Sequence, residues 1–184
     1  KYLRKIWKQN TEEERLLGVS LTGIMDHPVL SKTTDSTRWL KEMKDEAVLT
    51  NQEYAKLLGI PQSAAITCVK PSGTVSQLTN SASGIHSRHS PFYIRTVRAD
   101  NNDPLTKLMK DEGVVNEPDV MKPEYTTVFS FPTRSPIDAI VRSEVSAIDQ
   151  LELWKIYADK WCEHKPSITV TVKEDEWMDV GAWV

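Results

Sequence analysis

The chain has 184 residues, 39% apolar and 27% charged, with 23 Lys+Arg against 26 Asp+Glu and a formal net charge of −3. That is enough apolar material for a core, which excludes a globally disordered chain, and the mild acidity argues against a general nucleic-acid binder. No apolar run approaches the roughly 18–20 residues that cross a bilayer, and two cysteines, Cys68 and Cys162, are too few for a disulfide scaffold or a cysteine-based zinc site.

In chain order, Thr11-Glu12-Glu13-Glu14 has capping-box spacing, with Thr11 as N-cap and Glu14 at N3. The helix it opens runs into Leu16, Leu17 and Val19, with Gly18 and Gly23 near its end. A second helix follows Asp35, where Trp39, Leu40, Met43 and Ala47 share a face. Asn51 is read as the cap of a short third helix that stops at Gly59-Ile60-Pro61. Ala64 to Val69 reads as a short buried strand, and Phe92 to Val97 as another, in which alternation allows Arg95 to face outward. Asp103-Pro104 is an N-cap followed by Pro at N1, with Gly113 at the far end of that helix. Asn116 to Pro123 is a loop. Thr126 to Phe131 is strand, stopped by Pro132.

Asp149 to about His164 is a helix, with Leu153, Trp154, Tyr157, Ala158 and Trp161 on one face and Pro166 ending it. Ser167 to Val172 has the strongest strand pattern in the chain. Glu174-Asp175-Glu176 opens a last helix with acids in its first turn. Strands alternating with helices predict an α/β fold with a parallel sheet. Trp154, Trp161, Trp177 and Trp183 are expected in packing.

The net charge conceals an asymmetry. From Tyr54 to Ala99 there is no acid, where even scatter would put about six or seven. The window carries Lys56, Lys70, Arg88, Arg95 and Arg98, a net of +5, so the remainder carries −8. Such a stretch is either an anion site or a buried segment that excludes acids. Within it lies Lys70-Pro71-Ser72-Gly73-Thr74-Val75-Ser76, directly after the expected buried strand. Pro71 fixes the exit from the strand, Gly73 allows close approach of backbone to a ligand, and the hydroxyls and amides can converge on an oxyanion. A Ser/Gly/Thr turn after a strand is commonly only a loop, and no Walker pattern is present. The strand and the charge window give the phosphate reading its weight.

These residues carry a resemblance. Ile66 to Ser76, Gly84-Ile85-His86, Tyr93 to Arg98, Leu16 to Gly23, Trp161 to Ser167, Glu176-Trp177 and Gly181-Ala182-Trp183-Val184 resemble the catalytic barrel of ribonucleotide reductases. The chain is most similar to the monomeric type of adenosylcobalamin-dependent, class II ribonucleoside-triphosphate reductase. The resemblance implies that residues 1–184 are part of a single ten-stranded α/β barrel. It implies that Ser72, Gly73, Thr74, Val75 and Ser76 hold the phosphates of a ribonucleotide substrate, largely through backbone amides. It also implies adenosylcobalamin as radical source in the full-length parent, a thiyl radical that takes the ribose 3′ hydrogen, loss of the 2′ hydroxyl as water, and a thioredoxin-type reductant. The cofactor brings the radical chemistry.

The chain departs from that pattern in ways that set its expected role. The N-P-C-G-E motif of the radical cysteine is absent. Cys68 and Cys162 lack its neighbours and are expected to be small buried residues. This chain alone is therefore expected to be inactive. After Gly84-Ile85-His86 the family commonly has Pro-Gly, and here Ser87-Arg88 stand instead. His86 and His89 are spaced to share a helical face, but a structural role is expected of them rather than a metal. The chain begins at Lys1 and ends on apolar residues, which suggests a fragment of a larger barrel. With no signal-peptide pattern, the expected setting is cytoplasmic. Two other readings remain open at this point: a self-standing nucleotide- or phosphate-binding α/β module, and a segment of a class I large subunit.

Overall fold

The computed structural model describes residues 2–184. They divide into two compact units: residues 2–88 with Asp138–Val184, and His89–Ile137.

The first unit begins with helix α1, Lys5–Glu14. The Thr11–Glu14 segment closes this helix rather than opening it. Thr11 donates its hydroxyl to the Trp7 carbonyl at 2.8 Å, and Arg15, at φ +47°, forms a left-handed C-cap. Glu14 thus lies in a last turn, a position the capping-box spacing cannot distinguish from a first. Strand β1 is Val19–Ser20 and β2 is Thr67–Cys68, paired in parallel with Val19 opposite Thr67.

Between them runs helix α2, Thr33–Leu58, a single helix of 26 residues. Asn51 does not start a new helix. Its side chain is bound to Ser63, accepting from the Ser63 amide and donating to the hydroxyl, both at 3.0 Å. With the polar side chain engaged beyond the helix end, the backbone at Asn51 stays helical. Gly59 ends the helix in the left-handed conformation, φ +64°. The strand–helix–strand unit gives the parallel pair its crossover.

Helix α3, Val75–Leu78, follows β2 closely. Helix α5, Ala147–Lys160, is capped by Ser146, whose hydroxyl accepts from the Asp149 amide at 3.1 Å. Helix α6, Trp177–Trp183, follows a 3-10 turn at Glu174–Glu176. The core joins Leu40 of α2 to Leu153, Tyr157 and Trp161 of the α5 region, with Ile24, Met25, Val69, Ala82, Ile85 and Cys162. Each large apolar side chain so buried contributes about 1.5–3 kcal/mol. Trp154 donates to the Pro166 carbonyl at 3.0 Å and meets Trp183 edge to face. Trp177 is 62% exposed, contrary to the packing role expected of it.

Residues 167–172, with the strongest strand pattern, belong to no sheet of the described residues. The Ser167 amide donates to the Val69 carbonyl at 3.1 Å, but the Thr169 amide finds the His86 ring instead of a strand. β-branched composition prefers an extended chain, and a ladder needs a partner as well.

The second unit holds a three-stranded antiparallel sheet in the order β3-β5-β4, which departs from the all-parallel expectation. Strand β3 is Phe92–Asp100, β4 is Asn116–Pro118 and β5 is Thr126–Arg134. β4 lies within the segment expected to be a loop. Strand β5 continues past Pro132, which is opposite Ile94 of β3. Pro is tolerated there because β4 pairs only with Thr127 to Phe129, leaving the other side of β5 open at Pro132. Arg95 is half-buried, on the face with Tyr93 and Ala99. Helix α4, Pro104–Asp111, has the expected start: the Asp103 side chain accepts from the Leu105 amide at 2.9 Å. Gly113 beyond its end has φ +75°.

Candidate functional site: the loop after strand β2

The end of β2 is fixed by neighbours on both sides. The Lys70 amide donates to the Ser20 hydroxyl at 3.1 Å, and the Lys70 ammonium donates to the Lys165 carbonyl, also at 3.1 Å. From there the chain leaves through Pro71 and turns at Ser72 to Thr74 into α3. It returns through Asn80 to Gly84 past its own starting point. Gly84, at φ +56°, lies so close that a Cβ there would stand 2.9 Å from the Lys70 carbonyl oxygen. Only glycine meets both demands.

The two limbs are tied together. The Ser72 amide donates to the Ser83 hydroxyl at 2.9 Å, and the Ser81 amide donates to the Ser76 carbonyl at 2.8 Å. Ser76 is fully buried and donates its hydroxyl to the Ser72 carbonyl. Gly73, Thr74 and Val75 are exposed. A Cβ built on Gly73 would meet nothing within 4 Å. The five residues 72–76 therefore form one turn, with Ser72 half-buried and Ser76 buried at its base and three exposed residues at its crest. The first amides of a helical turn, here those of Thr74 and Val75, have no partner within the helix, the kind of donor an oxyanion requires.

The charge window is dispersed by the fold. Within this unit it supplies Lys56, in the last turn of α2, together with Lys70 and Arg88. Arg88 is buried and ion-paired with Asp26 at 2.8 Å. Arg95 and Arg98 belong to the other unit. There Arg98 pairs with Asp119 at 2.8 Å, and its guanidinium holds that carboxyl below the ordinary range. Lys70 is left as the cation of the window at the root of the loop.

His86 is structural. Its Nε2 accepts from the Thr169 amide at 3.0 Å, so Nδ1 carries the hydrogen and donates to the Ser83 carbonyl at 2.9 Å. His89 lies in the other unit, edge to face with Tyr93. Among the described residues no group of three His, Cys, Asp or Glu is arranged to hold a metal. Cys68 and Cys162 are free and buried. Burial, with Cys68 nearby, pushes the Cys162 thiol up to about 11. Cys162 is not a ready thiolate, and Cys68 is closed off by burial.

A larger cavity, about 750 Å³, opens between α2 and the β1–β2 pair, lined by Leu17, Val19, Trp39, Met43, Tyr54 and Trp161 among others. Its charged lining residues are Glu42 and Glu46, the wrong sign for phosphate, and it contains no residue of the 72–76 turn. Sequence reasoning found the turn but not its supports: Thr22, Asp26 and Arg88. Thr22 fell within a matched segment without a role, and Arg88 stood out only as a departure from the family pattern.

No protein-family model matches the chain. It is similar to curated adenosylcobalamin-dependent ribonucleoside-triphosphate reductases. That of Lactobacillus gasseri is 30% identical over 94% of this chain and 26% of its own length. That of Euglena gracilis is 27% identical over 90% of this chain and 23% of its own, and that of Levilactobacillus brevis is 32% identical over 73% and 18%. The chain spans about a quarter of the length of the first two relatives. A crystal structure of a B-12 dependent (class II) ribonucleotide reductase, 24% identical, superposes with a TM-score of 0.78 over 97% of this chain and 29% of that one. The chain thus has the fold of a segment of a class II ribonucleotide reductase, and most of its sequence is similar to adenosylcobalamin-dependent ribonucleoside-triphosphate reductases.

Proposed function

We propose that this chain is a segment of the catalytic barrel of an adenosylcobalamin-dependent ribonucleotide reductase, and that its turn at Ser72, Gly73, Thr74, Val75 and Ser76 binds substrate phosphate. The carrying observation is the turn itself. It is exposed at its crest, rooted at the end of a buried parallel strand, and lies in a chain similar over most of its length to ribonucleoside-triphosphate reductases. The substrate is a ribonucleoside tri- or diphosphate. In this reading residues 1–184 belong to one barrel domain, completed by the rest of a reductase chain and re-reduced by a thioredoxin-type partner in the cytoplasm. Among the described residues no helix is long and apolar enough to cross a membrane.

Adenosylcobalamin, when bound to such an enzyme, supplies the radical that starts the reaction. The sulfur chemistry of this chain does not fit the reactive end of that group. Both cysteines are closed off in the core, and neither has the neighbours of the radical-cysteine motif. No radical step is assigned to these residues. Their part is to bind and orient the phosphate chain through turn amides, with Lys70 at the root.

The test is Gly73→Phe, because open space at Gly73 lets the fold accept a side chain that covers the crest. ATP binding by the 184-residue chain, measured by calorimetry, should be lost with the melting temperature unchanged. Unchanged affinity would overturn the phosphate assignment. Measured ribonucleotide reduction by this chain alone would overturn the assignment of the radical chemistry elsewhere.

A further inference from the structure

Three side chains outside the 72–76 turn, those of Thr22, Asp26 and Arg88, hold the loop from Ser72 to Gly84, alongside His86 on the Ser83 carbonyl and the Gly23 and Ile24 amides on the Ala82 and Gly84 carbonyls. Thr22 is the first. Its hydroxyl oxygen accepts from the Gly84 amide at 2.9 Å, is 3.0 Å from the Ala82 carbonyl and is 2.7 Å from the Ser72 hydroxyl. A threonine hydroxyl has one hydrogen and two lone pairs. A carbonyl can only accept, so the hydrogen of Thr22 goes to Ala82. Ser72 must then donate its own hydrogen to Thr22.

Asp26 and Arg88 are the others. The Asp26 carboxylate accepts from the Ala82 amide at 2.7 Å and from Arg88 at 3.1 Å (Nε) and 2.8 Å (Nη2). Arg88 in turn donates to the Asn80 side chain at 3.2 Å and to the Asn80 carbonyl. Asn80 has φ +49°, a left-handed conformation that the two bonds hold in place. The Arg88 side chain is 5% exposed. It is spent inside the protein and is not available to an anion.

We infer that Thr22, Asp26 and Arg88 are positioning residues for the turn, fixing its return limb and thereby the anion affinity of a crest they do not touch. This rests on the reading of residues 72–76 as a phosphate site, and it assigns the donors within that site. The Ser72 hydrogen is committed to Thr22 and the Ser76 hydrogen to the Ser72 carbonyl. The Ser72 amide is committed to Ser83. The Thr74 hydroxyl makes no hydrogen bond among the described residues and stands, with the Thr74 and Val75 amides, on the exposed part of the turn.

The experiment uses the 184-residue chain with inorganic tripolyphosphate as probe, read by calorimetry, and amide hydrogen exchange read residue by residue by NMR. Arg88→Met touches neither Ser72 nor Gly84. It should still quicken exchange at both amides and weaken tripolyphosphate binding by about tenfold or more, the scale on which supporting partners act. Exchange in α2 and α5 should match the parent. Thr22→Val should do the same, and Thr22→Ser should restore parent behaviour. Should Thr22→Val not fold, Asp26→Asn, which keeps the shape and removes the charge, should give the Arg88→Met result. Parent-like exchange and affinity in Arg88→Met or Asp26→Asn would overturn the inference, as would lost binding in Thr22→Ser. If the parent chain binds no tripolyphosphate, the phosphate reading falls, and the exchange data alone decide whether these residues position the loop.

Discussion

Glu163 serves β2 as a neighbouring strand would. Its Oε2 accepts from the Ile66 amide at 2.6 Å and the Thr67 amide at 3.0 Å, while its own amide donates to the Thr67 carbonyl at 2.9 Å. One carboxylate thus covers the unpaired flank of a strand whose other flank pairs with β1. Desolvation raises the Glu163 carboxyl, but the hydrogen bonds from Thr67 and Ile66 and the charge of Lys44 outweigh it and hold the carboxyl below its ordinary value.

Glu163→Ala should therefore destabilise the chain by about 2 kcal/mol, because the buried Ile66 and Thr67 amides lose their acceptor. Urea unfolding with an unchanged m-value checks it. The pH dependence has a definite sign. A carboxyl depressed in the folded state contributes stability above its unfolded value and loses it as pH falls through its folded one. The parent should weaken below about pH 4.3, the ordinary Glu value, and Glu163→Gln should weaken less steeply there.

Glu176 makes a second carboxylate bridge. It accepts from the Lys173 amide at 2.8 Å and the Ala147 amide at 3.0 Å, which joins the start of α6 to the start of α5. These bonds hold its carboxyl below the usual range. Glu176→Ala should speed amide exchange at Lys173 and Ala147 and through α6, leaving α2 protected. The same loosening should occur in the parent as acid protonates Glu176, by the sign already given.

Gly84→Ala should cost about 2 kcal/mol. The added Cβ would meet the Lys70 carbonyl at 2.9 Å in a left-handed backbone. The expected readout is a lowered melting temperature together with weaker tripolyphosphate binding. Gly59→Ala is the control: it shares the positive φ but meets no atom within 4 Å, so it should lower the melting temperature less.

Both thiols should resist modification at pH 8 in the native chain and react rapidly in urea. Cys68 is 4% and Cys162 8% exposed, and the Cys162 thiol is pushed up to about 11. Ellman titration with and without denaturant gives the count directly. Fast native labelling of either sulfur would contradict its burial.

Much of the local structure was legible where one residue type has one use. Asp103-Pro104 opens α4 and Gly113 follows it, because a cap, a fixed φ and a left-handed turn each demand particular side chains. The turn at 72–76 was legible for the same reason. Asn51 and Thr11 misled because Asn and Thr side chains have several partners open to them. Asn51 found Ser63 and Thr11 found the Trp7 carbonyl. Residues 167–172 misled because strand composition says nothing of a partner. The supports of the candidate site were hidden by distance: Thr22 meets Ser72 across 50 positions and Asp26 meets Arg88 across 62. A single sequence carries no signal for such pairs.

The acid-free window has a different consequence from the one its +5 suggests. Buried pairing uses Arg88, and the Lys70 ammonium is bonded to the Lys165 carbonyl. On the proposed reading, the turn itself meets an anion with uncharged groups, the Thr74 and Val75 amides and the Thr74 hydroxyl. Neutral donors release few counterions when a ligand arrives, so ionic strength has little hold on them. Affinity at this turn should fall only gently between low and physiological salt. On that reading contact geometry, not long-range attraction, sets what stays bound.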